Sequence, residues 1–258
     1  MILNEILNII ESAAPLKWQE EWDNSGLQVG DRNAHIEKAL LTTDVTESVV
    51  NEAIACGCQL IISHHPLLFH GVKHLTGATS QERIVASAIR HDIAIYSSHT
   101  AMDSYLHGVS GRMAEKIGLP SYRILMPSER YGEQVGLGVI GTLPHAVATK
   151  VFVEQVKEAF GASWVRYTAG NKPMVQTVAL CGGAGAEFAY EAIRQGADAY
   201  ISADFKYHDL QAIAEQIVAI DMDHWVSEHY TREIFAELLE GKVETLISRE
   251  DKSPINIL

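Results

Sequence analysis

The chain has 258 residues, 47% hydrophobic and 21% charged, which excludes disordered, collagenous and coiled-coil classes and leaves one large or two modest soluble domains. A net charge of -13 disfavours phosphate backbones and anionic membranes as general partners. The three cysteines include no C-x-x-C pair, so neither a disulfide framework nor a cysteine zinc site is expected, and a reducing compartment fits.

Ile2, Leu3, Ile6, Leu7, Ile10 and Ala14 recur at helical spacing, which predicts an opening amphipathic helix ended by Pro15. Glu5 and Glu11 interrupt that segment, and no apolar run nears the roughly 18 residues of a membrane span, so a cytoplasmic protein without export signal or membrane anchor is expected. After a glycine-bearing loop with two tryptophans come a strand at Ala39 to Thr43, a helix at Glu47 to Cys56 stopped by Gly57, and a strand at Leu60 to Ser63. Asp44 reads as the N-cap of that helix, with Glu47 completing a capping box. Thr79 and Glu82 form a second box that opens a helix to about His91, before a strand at Ile93 to Ser97.

From about Arg130 to Pro173 the pattern predicts glycine-punctuated strands around Val135 to Ile140, a helix from about Val147 to Phe160 and a strand near Trp164. Strands at Val178 to Cys181, Ala199 to Ser202 and Val218 to Asp221 follow, separated by helical stretches, with a long final helix at about Ser227 to Glu240. The alternation is that of an α/β fold with mostly parallel sheets. Two lobes are expected, 1–125 and 126–258, with the C-terminal helix free to pack back on the first.

An internal repeat supports two related lobes. A shift of 139 places EAIACGCQLIIS (Glu52 to Ser63) over EAIRQGADAYIS (Glu191 to Ser202), and a shift of 125 places IAIYSSHTAMDSY (Ile93 to Tyr105) over VAIDMDHWVSEHY (Val218 to Tyr230). His99 then lies over His224 and Asp103 over Glu228. Both copies read as strand, histidine, three residues, carboxylate, which predicts duplicated units facing each other across a pseudo-two-fold.

In open α/β sheets, ligand groups sit just past the carboxyl ends of strands. Asp44, His64, His65, His99, Asp103, His224 and Glu228 all fall there. Imidazoles with carboxylates are donors for zinc, manganese or non-haem iron, whereas calcium takes oxygen alone. In SHHPLLF (Ser63 to Phe69) two adjacent histidines leave a strand end, with Pro66 holding His65 out of helix; divergent imidazoles suit two neighbouring ions. His224 and Glu228 share a helix face if the turn begins by His224, and Glu228 can bridge two cations. Any one of these signals alone is more often a satisfied loop or helix surface. Their joint recurrence after strand ends carries the metal reading.

CGGAGAEF (Cys181 to Phe188) lacks the last glycine of a dinucleotide fingerprint and reads as a tight turn whose amides can line a cleft. No nucleophile elbow, P-loop or catalytic cysteine context is present.

Taken in order along the chain, EEWDNSGLQVG (Glu20 to Gly30), SHHPLLF, SSHTAMD (Ser97 to Asp103), CGGAGAEF, GADAYISADFKYHD (Gly196 to Asp209) and DHWVSE (Asp223 to Glu228) resemble the NIF-three-like family, also labelled GTP cyclohydrolase I type 2 homologues. The chain looks like its short form, without an inserted middle domain. The resemblance implies a two-lobed α/β fold, a dinuclear metal site in the interlobe cleft, and a homohexamer built as a trimer of dimers. It assigns the metal ligands to His64, His65, Asp103, His224 and Glu228, with Glu228 shared and His99 outside the ligand set. Asp223 and Trp225, flanking the C-terminal histidine, depart from the family's usual residues and bear on pocket shape.

Two divalent ions per subunit, zinc, iron or manganese, activate water and polarise a carbonyl, amidine or phosphoryl group, so the expected activity is hydrolysis of a small molecule, a nucleotide or related heterocycle by resemblance. His99 and His208 are the expected proton shuttles. The rival expectations are a non-enzymatic metal-binding ring scaffold and, against the charge, a DNA-handling ring.

Overall fold

Leu3, Ile6, Leu7 and Ile10 are fully buried along one side of the opening helix, α1 (Leu3–Ala13), in a computed structural model that describes residues 1–258. At about 1.5–3 kcal/mol for each fully buried large aliphatic side chain, this stripe alone anchors the N-terminus. In chain order there follow β1 (Gly26–Val29), β2 (Lys38–Thr42), α2 (Glu47–Cys56), β3 (Leu60–Ser63), α3 (Ser80–Arg90), β4 (Ala94–Ser97) and α4 (Thr100–Asp103). Next come α5 (Val109–Lys116), β5 (Tyr122–Ser128), β6 (Gly132–Ala148), α6 (Thr149–Ala159), β7 (Arg166–Tyr167), β8 (Met174–Leu180), α7 (Ala189–Arg194), β9 (Ala199–Ala203), α8 (Tyr207–Ile213), β10 (Val218–Met222) and α9 (His224–Glu228). The chain closes with α10 (Thr231–Leu238) and β11 (Glu244–Ile247).

Two units result, Met1–Met102 with His229–Lys252, and Asp103–Glu228 with Ser253–Leu258. The sequence pattern puts a single boundary at 125/126; here the chain changes unit at Met102/Asp103, at Glu228/His229 and, for its last six residues, at Lys252/Ser253. The reason is strand pairing. β5 joins β6 and so belongs with the second sheet, while β11 pairs with β2 and returns the C-terminal segment to the first.

The first unit holds a five-stranded sheet in the order β1-β4-β3-β2-β11, parallel except for β1 at the edge. β3 and β4 are buried at every position, which is why they read as continuous apolar runs rather than alternating ones. Leu40, Ile61 and Ile95 pack with Val49, Ala53, Ile84 and Ala88 of α2 and α3. The second unit holds a six-stranded sheet, β5-β6-β8-β9-β10-β7, whose parallel trio β8-β9-β10 is flanked by antiparallel strands. Ala179, Tyr200 and Ala219 of the trio pack with Phe205 and Ile213.

Each unit therefore contains three consecutive parallel strands, β2-β3-β4 and β8-β9-β10, and the repeat read in the sequence falls on them. Gly57 (φ 67°) and Gly196 (φ 81°) turn the chain in the left-handed region between helix and strand in the two copies. Each third strand is followed by a short helix, α4 or α9, that carries a carboxylate at its end.

Two local expectations are corrected. The long helix from Ser227 to Glu240 is two helices, α9 ending at Glu228 and α10 starting at Thr231, and at the break between them Arg232 Nε donates to His229 O at 2.9 Å. The N-cap of α2 is Thr46 rather than Asp44, with Val49 N donating to Thr46 Oγ1 at 3.2 Å. No helix is long and apolar enough to cross a membrane.

Candidate metal centre

The first unit brings three histidines together where β3 and β4 end. Ser63 and Ser97 are register partners at those ends, and the ladder continues just beyond them: His64 N donates to Thr42 O, His65 N to Thr43 O and Ser98 N to Ser63 O, at 3.2, 2.9 and 3.0 Å. Held this way, the His64 and His65 rings lie 4.9 Å apart, and the His99 ring stands edge-on to them at 5.3 and 5.4 Å. One ring nitrogen from each of the three lies within 4.8 Å of the others.

The other nitrogen of each ring is occupied. His64 Nδ1 is 3.1 Å from Ser98 O, His65 Nδ1 is 2.8 Å from Asp44 Oδ1, and His99 Nδ1 is 2.9 Å from Asp23 Oδ1. A carbonyl and two carboxylates only accept, so in the neutral rings the proton sits on Nδ1 and the lone pair on Nε2. This is how proteins orient imidazoles toward a cation. Asp44, expected to cap a helix, instead orients His65.

Asp23 is the most heavily used carboxylate in this unit, and its side chain is fully buried. Thr100 donates to Oδ2 through both N and Oγ1, at 3.0 and 2.6 Å, and Ser25 Oγ donates to the same oxygen at 2.9 Å. Burial alone would raise its pKa, but the hydrogen bonds from His99, Thr100 and Ser25 outweigh it and hold the carboxyl well below the usual aspartate range. The role of Asp23 was not visible in the sequence, because its link to His99 spans 76 residues.

The second unit contributes a histidine with carboxylates. His224 Nδ1 is 2.6 Å from Asp204 Oδ2 and its Nε2 is 2.9 Å from Glu228 Oε2, the i,i+4 pair of α9. Glu228 is buried, and its carboxylate comes within 4.8 Å of that of Asp103. The glycine loop makes the room. A Cβ on Gly183 (φ 63°) would sit 2.0 Å from Glu228 Oε1, while Gly183 N donates to Ser227 Oγ at 2.9 Å. The amides at 183 and 185 thus go to Ser227 and Ser202. Burial first, then the Asp103 and Glu228 charges, push the Cys181 thiol far up, so it stays protonated at neutral pH.

Two carboxylates this close, one of them buried, repel unless a cation or proton lies with them. The three oriented imidazoles of the first unit are a group that could hold a transition-metal ion. Of the expected proton carriers, His99 stands in the histidine cluster. His208 does not: it is exposed on α8, its Nδ1 is 3.1 Å from Gln211 Oε1, and it lines a cavity of about 500 Å³ with Asp204, Lys206 and Tyr190.

A mixed α/β fold with two sheets, carrying past its parallel strand ends imidazole and carboxylate donors that could hold a metal ion, defines the class of α/β protein. Residues 1–254 match the family described as Duf34/NIF3 (NGG1p interacting factor 3), and the chain belongs to that family. It is 34% identical to the GTP cyclohydrolase 1 type 2 homolog of Clostridium perfringens over the full length of both chains, and 32% identical to NIF3-like protein 1 of Drosophila melanogaster over 98% of this chain and 88% of that one. Among solved structures, a Bacillus cereus protein related to NIF3 superposes with a TM-score of 0.90 at 24% identity, covering 99% of each chain. A Staphylococcus aureus protein does so with 0.88 at 25%, covering 100% of this chain and 99% of the other.

Proposed function

We propose that the two donor sets work as one dinuclear metal centre, with His64, His65, Asp103, His224 and Glu228 as ligands and Glu228 shared, and that the protein is a metal-dependent hydrolase of a small molecule. The observation that carries this reading is where the backbone changes unit: the outward crossing falls at Asp103, four residues after His99, and the return falls directly after Glu228. Covalent connection thus ties carboxylates of the second unit to the segment bearing the histidines of the first. Zinc, iron or manganese suits such a mixture of imidazole and carboxylate. Held by these residues, such ions would supply Lewis acidity suited to hydrolysis near neutral pH.

The remaining work belongs to the protein's own side chains. Asp44 and Asp204 orient His65 and His224 from their Nδ1 sides, and Gly183 leaves the space that Glu228 fills. His99, braced by Asp23, presents Nε2 to carry a proton to or from the substrate, the arrangement in which a carboxylate fixes the tautomer of a catalytic imidazole. His99 is the proton carrier retained from the sequence reading. Relatives named GTP cyclohydrolase 1 type 2 homolog point to a purine nucleotide or related heterocycle as substrate. The proposed setting is the cytoplasm, and the proposed assembly a homohexamer.

Elemental analysis of protein purified without added metal, followed by a metabolite screen of that sample, tests the reading. Two equivalents of transition metal per chain and a turned-over metabolite are expected, with both lost in Glu228→Ala. Undiminished turnover in that variant would reject the hydrolase, and a monomeric mass in solution would reject the hexamer. Bound metal without turnover would favour a metal-binding scaffold.

A further inference from the structure

The segment WDNSGLQ (Trp22 to Gln28) spends nearly every polar side chain on tethering. Asp23 and Ser25 hold His99, the latter by accepting from His99 N at 3.0 Å. Asn24 Nδ2 donates to Leu68 O at 2.6 Å, and Gln28 Oε1 accepts from Leu68 N at 2.9 Å. The loop after β1's leading turn is therefore pinned both to His99 and to the loop that follows SHHP. Trp22 is left outward, 59% exposed, and makes none of these tethering hydrogen bonds.

The second pinned loop carries another outward aromatic, Phe69, 39% exposed. The Trp22 and Phe69 rings lie 5.9 Å apart at 49°, and both stand edge-on to the His99 ring, at 5.9 and 6.4 Å. Exposure rises outward along this chain of rings, from buried His64 through His99 to Phe69 and Trp22. Two large aromatic faces held in water by hydrogen-bonded loops forgo burial that would stabilise the fold, and they do so one ring away from the histidine cluster.

We propose that Trp22 and Phe69 form a stacking platform that takes a planar heteroaromatic ring of the ligand and sets its substituents beside His99. The inference rests on the functional reading above only for the identity of the neighbouring centre. Stacking explains the pairing of rigid tethers with exposed rings: a preformed π-face costs little to order on binding and accepts any flat nitrogen heterocycle. It also predicts tolerance among bases, since stacking engages the π-face that every base has.

Calorimetric titration of the purified full-length protein with guanosine, adenosine and uridine, and with ribose 5-phosphate as the probe lacking an aromatic ring, tests the platform. All three nucleosides are expected to bind saturably and ribose 5-phosphate not to bind. Trp22→Ala should weaken the nucleosides by about tenfold or more, while Trp22→Phe, which keeps a ring, restores most of the affinity. Phe69→Leu should weaken them as well. Trp22 is exposed, so the variants fold, and an unchanged circular dichroism spectrum checks this. Nucleoside affinity unaltered in Trp22→Ala, no nucleoside binding by the wild type, or ribose 5-phosphate binding equally well would each overturn the platform. Metal content measured on the same samples separates the two readings. Metal-free protein with Trp22-dependent nucleoside binding sinks the dinuclear centre and keeps the platform; metal-loaded protein that ignores nucleosides does the opposite.

Discussion

Asp204 holds His224 by its Nδ1 at 2.6 Å while the opposite ring nitrogen faces Glu228 at 2.9 Å, so one imidazole is clamped between two carboxylates. Asp204 adopts a left-handed backbone conformation (φ 58°), which aspartate tolerates better than most residues, and that conformation places its carboxylate behind the ring. Asp204→Ala is expected to weaken metal affinity by about 10- to 100-fold, read by competition with a chromophoric chelator. Its melting temperature should stay close to wild type, because the Asp204 side chain is half exposed.

Gly183 cannot accept a side chain. The left-handed φ and the 2.0 Å approach of a Cβ to Glu228 Oε1 both act against it. Gly183→Ala should displace Glu228 and lower stability by about 1–3 kcal/mol, measured by urea denaturation, with metal loss measured on the same samples. A fully loaded variant of wild-type stability would contradict this account of the glycine loop.

The three thiols should differ sharply in reactivity. Burial pushes Cys58 up to about 11 and Cys181 higher still, whereas Cys56 is exposed. At pH 7.5 (about physiological), iodoacetamide on the native protein is expected to modify Cys56 alone, with the other two reacting only after unfolding. Peptide mass mapping reads the outcome.

Glu82 anchors the loop that carries Phe69. Hydrogen bonds from the Thr76 side chain and backbone, with those from Ala78 and Thr79, draw its pKa down to about 2. A depressed carboxylate contributes stability that is complete above its ordinary value of 4.5 and fades as pH falls from there toward about 2. Amide exchange at Thr76 and Ala78 should therefore gain protection-loss at pH 3.5 (roughly mid-window) that Glu82→Gln shows already at neutral pH. Exchange at those amides indifferent to both would refute the anchoring role.

What could be read from the sequence follows from how local each signal is. β3, α2 and α3 were legible because their apolar spacing, Gly57 and the Thr79–Glu82 box all lie within the element they define. His64, His65, His99, His224 and Glu228 stood out because they follow strand ends, a position that local pattern reveals. Asp44 was misassigned because Thr46, two residues on, competes for the same cap and wins. β5 and β11 escaped notice: Pro127 interrupts the first, and the second is a four-residue edge strand whose partner β2 lies some two hundred residues back in the chain. The orienting carboxylates were harder still, since they act across long stretches of chain. Asp204 did leave a trace, because the 139-residue shift that aligns the repeat lays it over His65.

The pairing of β2 with β11 has a consequence for biosynthesis. The strand Lys38–Thr42 waits for a neighbour that starts at residue 244, so the first sheet has a raw edge while all the residues between them are made. At about 5–20 residues per second, that interval lasts tens of seconds. The uninterrupted stretch Asp103–Glu228 is under no such delay and can collapse while still tethered to the ribosome. Chaperone demand during synthesis should accordingly fall on the opening hundred residues, and shortening the nascent chain before β11 emerges should leave that portion alone prone to aggregate.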